Sequence, residues 1–174
     1  MLRIGLDLDD TVNYWWSEYS KLYQEPKSKY EVTKNVFKLK SNKDFWMNLP
    51  IKNVPDFIPE LYCTKRIIPK AWSRKYLENN CIPVAPIYQQ WYQYGKKSTL
   101  IKGRVDVFID DSIENMIELN LAGIPCLLMD AETNQDWNYV GRVYSLEYEH
   151  IKEIYDLFMT HTFPNFKLLI DETK

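Results

Sequence analysis

Apolar and polar positions change period several times along the chain, and the changes mark out its elements. Leu2, Ile4, Leu6 and Leu8 alternate as a strand that ends in Asp7, Asp9, Asp10 and Thr11. Tyr14–Leu22 then has helical spacing, while Glu25-Pro26 and Asn48-Leu49-Pro50 punctuate the stretch to Val54, so a few short helices are expected there. From Pro55 the pattern becomes a regular alternation. Strands are predicted over Glu60–Thr64, Pro83–Tyr88, Val105–Ile109, Ile124–Met129 and, more briefly, Arg142–Ser145. Helices are predicted over Lys70–Asn80, Ser112–Ala122 and Leu146–Met159, with Ser112 as an N-cap and Gly123 at a C-terminal end. Gln89–Ser98 and Ala131–Gly141 read as polar loops, and Thr160–Lys174 carries no legible motif. Strand, helix, strand alternation predicts an α/β fold, a Rossmann-like doubly wound parallel sheet with right-handed crossovers. The implied division is a core from 1–11 and 55–160, a small helical insert over 12–54, and a C-terminal tail over 161–174.

Length and composition sharpen this picture. With 174 residues the chain can bury one sizeable core plus an insert. Its 24 acidic and 22 basic residues nearly balance, so no polyanion-coating protein is implied. The insert departs from that balance, with eight lysines against four acids, and it also holds nine aromatics. Those aromatics read either as the insert's own core under a solvated lysine face or as stacking surfaces for bases. Cys63, Cys81 and Cys126 lack metal-ligand or disulfide spacing. No basic leader with an apolar core and no membrane-length apolar run is present, so a cytoplasmic protein without a membrane partner is expected. No motif points to an oligomeric state.

The candidate chemistry lies at strand ends. Asp7 and Asp9 on one buried strand would repel each other unless a cation sat between them, and Mg²⁺ with oxygen ligands is the usual answer. Taken alone, Asp9-Asp10-Thr11 also reads as an acidic turn or helix cap. The run Val105–Ile109 ends in a second acid pair, Asp110-Asp111, and a doubly wound sheet would bring both pairs to one carboxyl edge. Thr64 closes another strand, although it reads as a turn residue too. Gly95-Lys96-Lys97-Ser98 lacks the upstream glycine of a phosphate-binding P-loop.

In these motifs, Asp7-Leu8-Asp9-Asp10-Thr11 and Asp110-Asp111, each after an apolar strand, the sequence resembles the haloacid dehalogenase (HAD) superfamily of phosphotransferases. The resemblance implies that the 12–54 insert is a cap over the active site. It also implies that Asp7 is the nucleophile forming a phosphoaspartate, that Asp9 is the acid and base, and that Thr64 hydrogen-bonds the phosphoryl group. Lys97, with Lys96 as runner-up, would be the phosphate-neutralising lysine. Mg²⁺ would be held by Asp7, the carbonyl of Asp9 and Asp110, with Asp111 orienting these ligands. Asn115 stands where several members carry another acid. The segment Asp44-Phe45-Trp46-Met47-Asn48-Leu49-Pro50, the run ending Asp110-Asp111-Ser112, and Arg142-Val143-Tyr144-Ser145 are similar to 5'(3')-deoxyribonucleotidases, though Lys65 replaces a small polar residue. A Mg²⁺-dependent phosphatase of nucleoside monophosphates is thereby implied, with Thr11, Lys65, Trp15, Trp16, Phe45 and Trp46 as substrate contacts. A phosphatase of terminal phosphates on DNA or RNA and a silent binding protein of the same fold are the competing expectations.

Overall fold

The computed structural model describes residues 1–23, 28–90 and 95–167, so the Glu25-Pro26 break, part of the expected 89–98 loop and the end of the 161–174 stretch lie outside the described residues. The sheet comprises β1 (Ile4–Leu6), β2 (Leu61–Thr64), β3 (Ile87–Gln89), β4 (Val107–Asp110), β5 (Cys126–Met129) and β6 (Arg142–Val143). All neighbours are parallel, in the order β3-β2-β1-β4-β5-β6. The predicted doubly wound α/β fold is therefore the observed one, and its strand order is the one usual where two mononucleotide-binding halves meet at a switch point. That switch point falls between β1 and β4. Every residue of β1, β2, β4 and β5 is buried, which is why these strands read as nearly continuous apolar runs.

The first strand is shorter than its apolar pattern. Ladder pairing continues to Asp7, whose N–H donates to the Ile109 carbonyl at 2.9 Å, and the chain then turns, with the Leu8 carbonyl accepting from Val12 and Asn13. Leu8 stays wholly buried without belonging to the strand. Gly5 has no room for a side chain, since a Cβ there would lie 2.7 Å from the Phe108 ring of the adjoining strand. β3 begins at Ile87 instead of Pro83 because Pro83 and Pro86 cannot donate to a ladder. The helix expected from Leu146 starts at Tyr148, where the Asp56 carboxylate accepts the Tyr148 N–H at 2.8 Å across 92 residues of sequence.

The helices are α1 (Trp15–Leu22), α2 (Lys29–Leu39), α3 (Lys43–Met47), α4 (Lys70–Asn79), α5 (Ser98–Ile101), α6 (Ile113–Leu121) and α7 (Tyr148–His161). The first three lie between β1 and β2, where the sequence predicts short helices. Their buried residues Tyr19, Val36, Leu39 and Trp46 join the same hydrophobic core as the sheet. Beyond α7, Phe166 is 4% exposed and packs edge-on against Tyr139 and Phe158, so the stretch after 160 is anchored as far as Phe166. Among the described residues no helix is long and apolar enough to cross a membrane.

Candidate active site

The acids assemble because two parallel strands end side by side. β1 and β4 pair with Leu6 opposite Ile109, so the next residues, Asp7 and Asp110, stand at the same level of the sheet's carboxyl edge. Between them stands Lys97, delivered by the turn that opens α5. Its Nζ donates to Asp7 Oδ1 at 2.6 Å and to Asp110 Oδ2 at 2.7 Å. All three side chains are nearly or fully removed from solvent. Lys96, by contrast, is exposed. Burial opposes the charge on Lys97, but Asp110 and Asp7 outweigh it and raise its pKa.

Asp110 is saturated with protein donors. Its Oδ1 accepts from the Ser112 N–H at 3.0 Å, and Asn115 Nδ2 lies 3.1 and 3.2 Å from its two oxygens. Ser112 caps α6 as its sequence position suggests, accepting the Asn115 N–H. Asn115 thus grips Asp110 where an acid would repel it, and its Oδ1 accepts from Lys65 Nζ at 2.6 Å. Asp111 faces the cavity instead, and no protein donor is paired with its carboxylate among the described residues. Burial, then Asp110, Asp10 and Asp7, drives Asp111 well above the usual carboxylate range. Burial likewise pushes Asp7 up to about 7 against the pull of Lys97.

This imbalance bears on whether a metal fits. Asp7, Asp110 and Asp111 each offer an oxygen, all within 4.8 Å of one another. Opposite ligands of an octahedral Mg²⁺ are separated by about 4.2 Å, twice the usual bond length. With all three carboxylates ionised, one ammonium would leave two negative charges uncompensated, the deficit that a divalent cation would fill. The residues fit such an ion, with Asp7 and Asp111 offering the free oxygens on the cavity side.

Asp9 and Asp10 are held separately. Arg66, on the segment after β2, donates to Asp9 through Nε at 3.0 and 3.1 Å and through Nη2 at 2.6 Å. Asp10 takes a left-handed φ of 53°, and its carboxylate accepts the Trp16 N–H at 2.9 and 3.1 Å near the start of α1. Lys52 Nζ ties the Asp10 and Asp130 carbonyls together at 2.5 Å each. Burial is the main cause raising the Asp10 carboxyl to about 7.

These groups border a cavity of about 310 Å³. Asp7, Asp9, Thr64, Lys65, Lys97 and Asp111 line it, with Trp15, Trp16 and Trp46 on the insert's side. Thr64 is buried, and its Oγ1 accepts the Arg66 N–H at 3.2 Å. Three residues expected at the substrate sit otherwise. Thr11 is fully buried, off the cavity wall, with an unpartnered hydroxyl. Phe45 is also off the wall, packed edge-on against Trp46 at 5.2 Å. Trp46 reaches the wall but is only 2% exposed, and its Nε1 donates to the Leu39 carbonyl at 2.9 Å, so its ring is a structural surface more than an open platform. Trp15 and Trp16 are half-buried and stack on Tyr19 at 5.0 and 5.4 Å.

The sequence pattern alone passes over Arg66, Lys52 and Asn134, whose Nδ2 donates to the Asp111 carbonyl at 2.8 Å. For Arg66 a signal exists: a guanidinium directly after a buried strand, next to a candidate phosphate contact, has little access to water. Lys52 and Asn134 lie far from the acid motifs in sequence and carry no such signal.

No protein-family model matches the sequence, and no curated protein matches it either. Among solved structures, the chain is similar to a crystal structure of a HAD-superfamily hydrolase, subfamily IA, variant 1, from Geobacter sulfurreducens PCA. The TM-score is 0.47 at 10% identity, over 88% of this chain and 94% of that one.

Proposed function

We propose that the protein is a Mg²⁺-dependent phosphomonoesterase of the HAD type, acting on small phosphomonoesters, with nucleoside monophosphates as the substrate class. The observation that carries this reading is Lys97 bridging buried Asp7 and Asp110 while Asp9 stands on the same cavity wall.

A carboxylate of Asp7 attacks phosphorus as the bond to the ester oxygen breaks, and Asp9 gives its proton to that oxygen, releasing an alcohol. Water then attacks the phosphoaspartate, passing its proton to Asp9, and phosphate leaves as Asp7 is regenerated. The two carboxylates need opposite protonation states, so they titrate as a pair. Lys97 holds the Asp7 carboxylate in place and offers charge to the phosphoryl oxygens, and Thr64 stands beside it as a hydroxyl partner. Mg²⁺, held by Asp7 and Asp111 with Asp110 fixing Lys97 behind them, would neutralise the phosphoryl oxygens. Support for a nucleotide comes from Trp15 and Trp16 on the wall and from a cavity at the small end of the range usual for ligand sites.

Phosphate release should be measured over 5'- and 3'-nucleotides, sugar phosphates and end-phosphorylated oligonucleotides with Mg²⁺. Mononucleotide turnover that disappears in Asp7→Asn is expected. An enzyme silent on the whole panel would refute the reading, while preference for oligonucleotide ends that falls steeply with salt would reassign the substrate to nucleic-acid termini.

A further inference from the structure

Arg66 is a charged side chain only 1% exposed, whereas the Asp9 carboxylate it grips is 23% exposed. Both residues border the cavity, but the acid is the more open of the two. All three guanidinium nitrogens are engaged: Nε and Nη2 on Asp9, and Nη1 on Ser73 Oγ of α4 at 3.3 Å. Its carbon lies 5.3 Å from the Trp46 ring centre and 5.9 Å from that of Tyr76. Helix α3 of the insert and helix α4 of the sheet layer therefore hold the fork from separate sides. A fork so committed has little left to offer a substrate phosphate. It does fix where both Asp9 oxygens point, because a planar bidentate donor sets the orientation of a carboxylate as a point charge does not.

We infer that Arg66 is a positioning residue that aims Asp9 at the leaving-group oxygen, and that Trp46 serves the site by bracing Arg66. This rests on the phosphatase reading above. In the step concerned, the proton on Asp9 moves to the ester oxygen as the phosphorus–oxygen bond breaks and Asp7 bonds to phosphorus. The demand for that proton is large for a poor leaving group and small for a good one. Loss of aim should therefore be selective, and loss of fold should not.

The test is steady-state kinetics of the full chain with Mg²⁺ on phenyl phosphate and on 4-nitrophenyl phosphate, whose nitrophenolate needs little protonation to leave. Arg66→Gln is expected to lower kcat/KM on phenyl phosphate by about 100-fold, the low end of what a positioned acid contributes, and on 4-nitrophenyl phosphate only several-fold; kcat/KM isolates the transfer to Asp7 from the water step that both esters share. Arg66→Lys, which keeps charge without the fork, should recover part of the loss. Ser73→Ala, which leaves the ion pair intact, should show a smaller loss with the same selectivity and keeps the test decisive where Arg66→Gln does not fold. Added to Asp9→Asn, Arg66→Gln should slow phenyl phosphate no further, since both act through one proton transfer. Equal losses in kcat/KM on the two esters, or multiplying effects in the double variant, would overturn the assignment of Arg66. The phosphatase reading fails separately, if the wild type turns over neither ester or Asp7→Asn turns over both.

Discussion

At Asp7 the proposed chemistry and the physical environment pull in opposite directions. The reaction needs a charged nucleophile, yet burial lifts its pKa to about 7, and only Lys97 works against that lift at close range. Asp7→Asn keeps the shape and removes the attacking charge, so turnover should fall below detection while circular dichroism stays unchanged; residual activity near the wild-type level would exclude Asp7 as nucleophile. Asp10 offers a cleaner view of the cost of buried charge, since the proposed mechanism gives it no step. Its folded pKa of about 7 lies above the roughly 3.9 of an unfolded aspartate. Between those values the folded chain holds a proton that the unfolded chain has released, so Asp10 makes stability fall as pH rises from about 4 to about 7. Asp10→Asn retains an acceptor for the Trp16 N–H and removes the titration. Its melting temperature relative to wild type should therefore climb across that window by at least about 3 °C, measured in chelator. Parallel curves for the two proteins would show that Asp10 is not the titrating group.

The helices between β1 and β2 divide the aromatic residues into two kinds. Trp46 on α3 is sealed in the core, tied to Leu39 and set against Phe45 and Arg66. Trp15 and Trp16 open α1 and remain half-exposed at the cavity. Truncating Trp46 should cost about 3–5 kcal/mol of stability, as removal of a buried tryptophan does. Truncating Trp16 should cost far less, and instead lower kcat/KM for nucleotides by about one to two decades through lost stacking, while 4-nitrophenyl phosphate changes little. Thermal melts beside kinetics on both substrates separate the cases, and a Trp16→Ala protein with equal losses on both would remove the stacking proposal. At the far end of α6, Gly123 adopts φ +79° with open space around it, so Gly123→Ala should cost only what its backbone conformation demands, about 1 kcal/mol.

For the whole molecule, the sheet edge behaves as a device for concentrating negative charge. Helices and strands bring Asp7, Asp110 and Asp111 together at a cost that Lys97 alone does not cancel. A cation that binds only the folded state should therefore stabilise it. Mg²⁺ at about 100 times its dissociation constant would add about 2.7 kcal/mol, which corresponds to a rise in melting temperature of about 5–10 °C for a chain this long. Asp111→Asn should abolish most of that rise. Asp110→Asn should lower the melting temperature with or without Mg²⁺, because it removes one of the two carboxylate charges paired with buried Lys97. Identical melts in Mg²⁺ and in chelator would argue against a metal at this edge.

The order of elements, the parallel sheet and the two acid-tipped strands are legible in the sequence because burial on both faces writes a continuous apolar run and because an acid at its end interrupts that run abruptly. The choice between Lys96 and Lys97 is not, since adjacent lysines look alike until the turn into α5 points one inward and leaves the other in water. Nor is the contrast between Asp110 and Asp111, which depends on Ser112, Asn115 and Lys97 converging on one of them. Trp46 misleads for the same reason: an aromatic in a basic insert looks like a platform until its neighbours close over it. Local pattern records which residues avoid water. Which polar groups meet across 57 residues, as Arg66 meets Asp9, or across 90, as Lys97 meets Asp7, is decided only when the sheet brings the strand ends together.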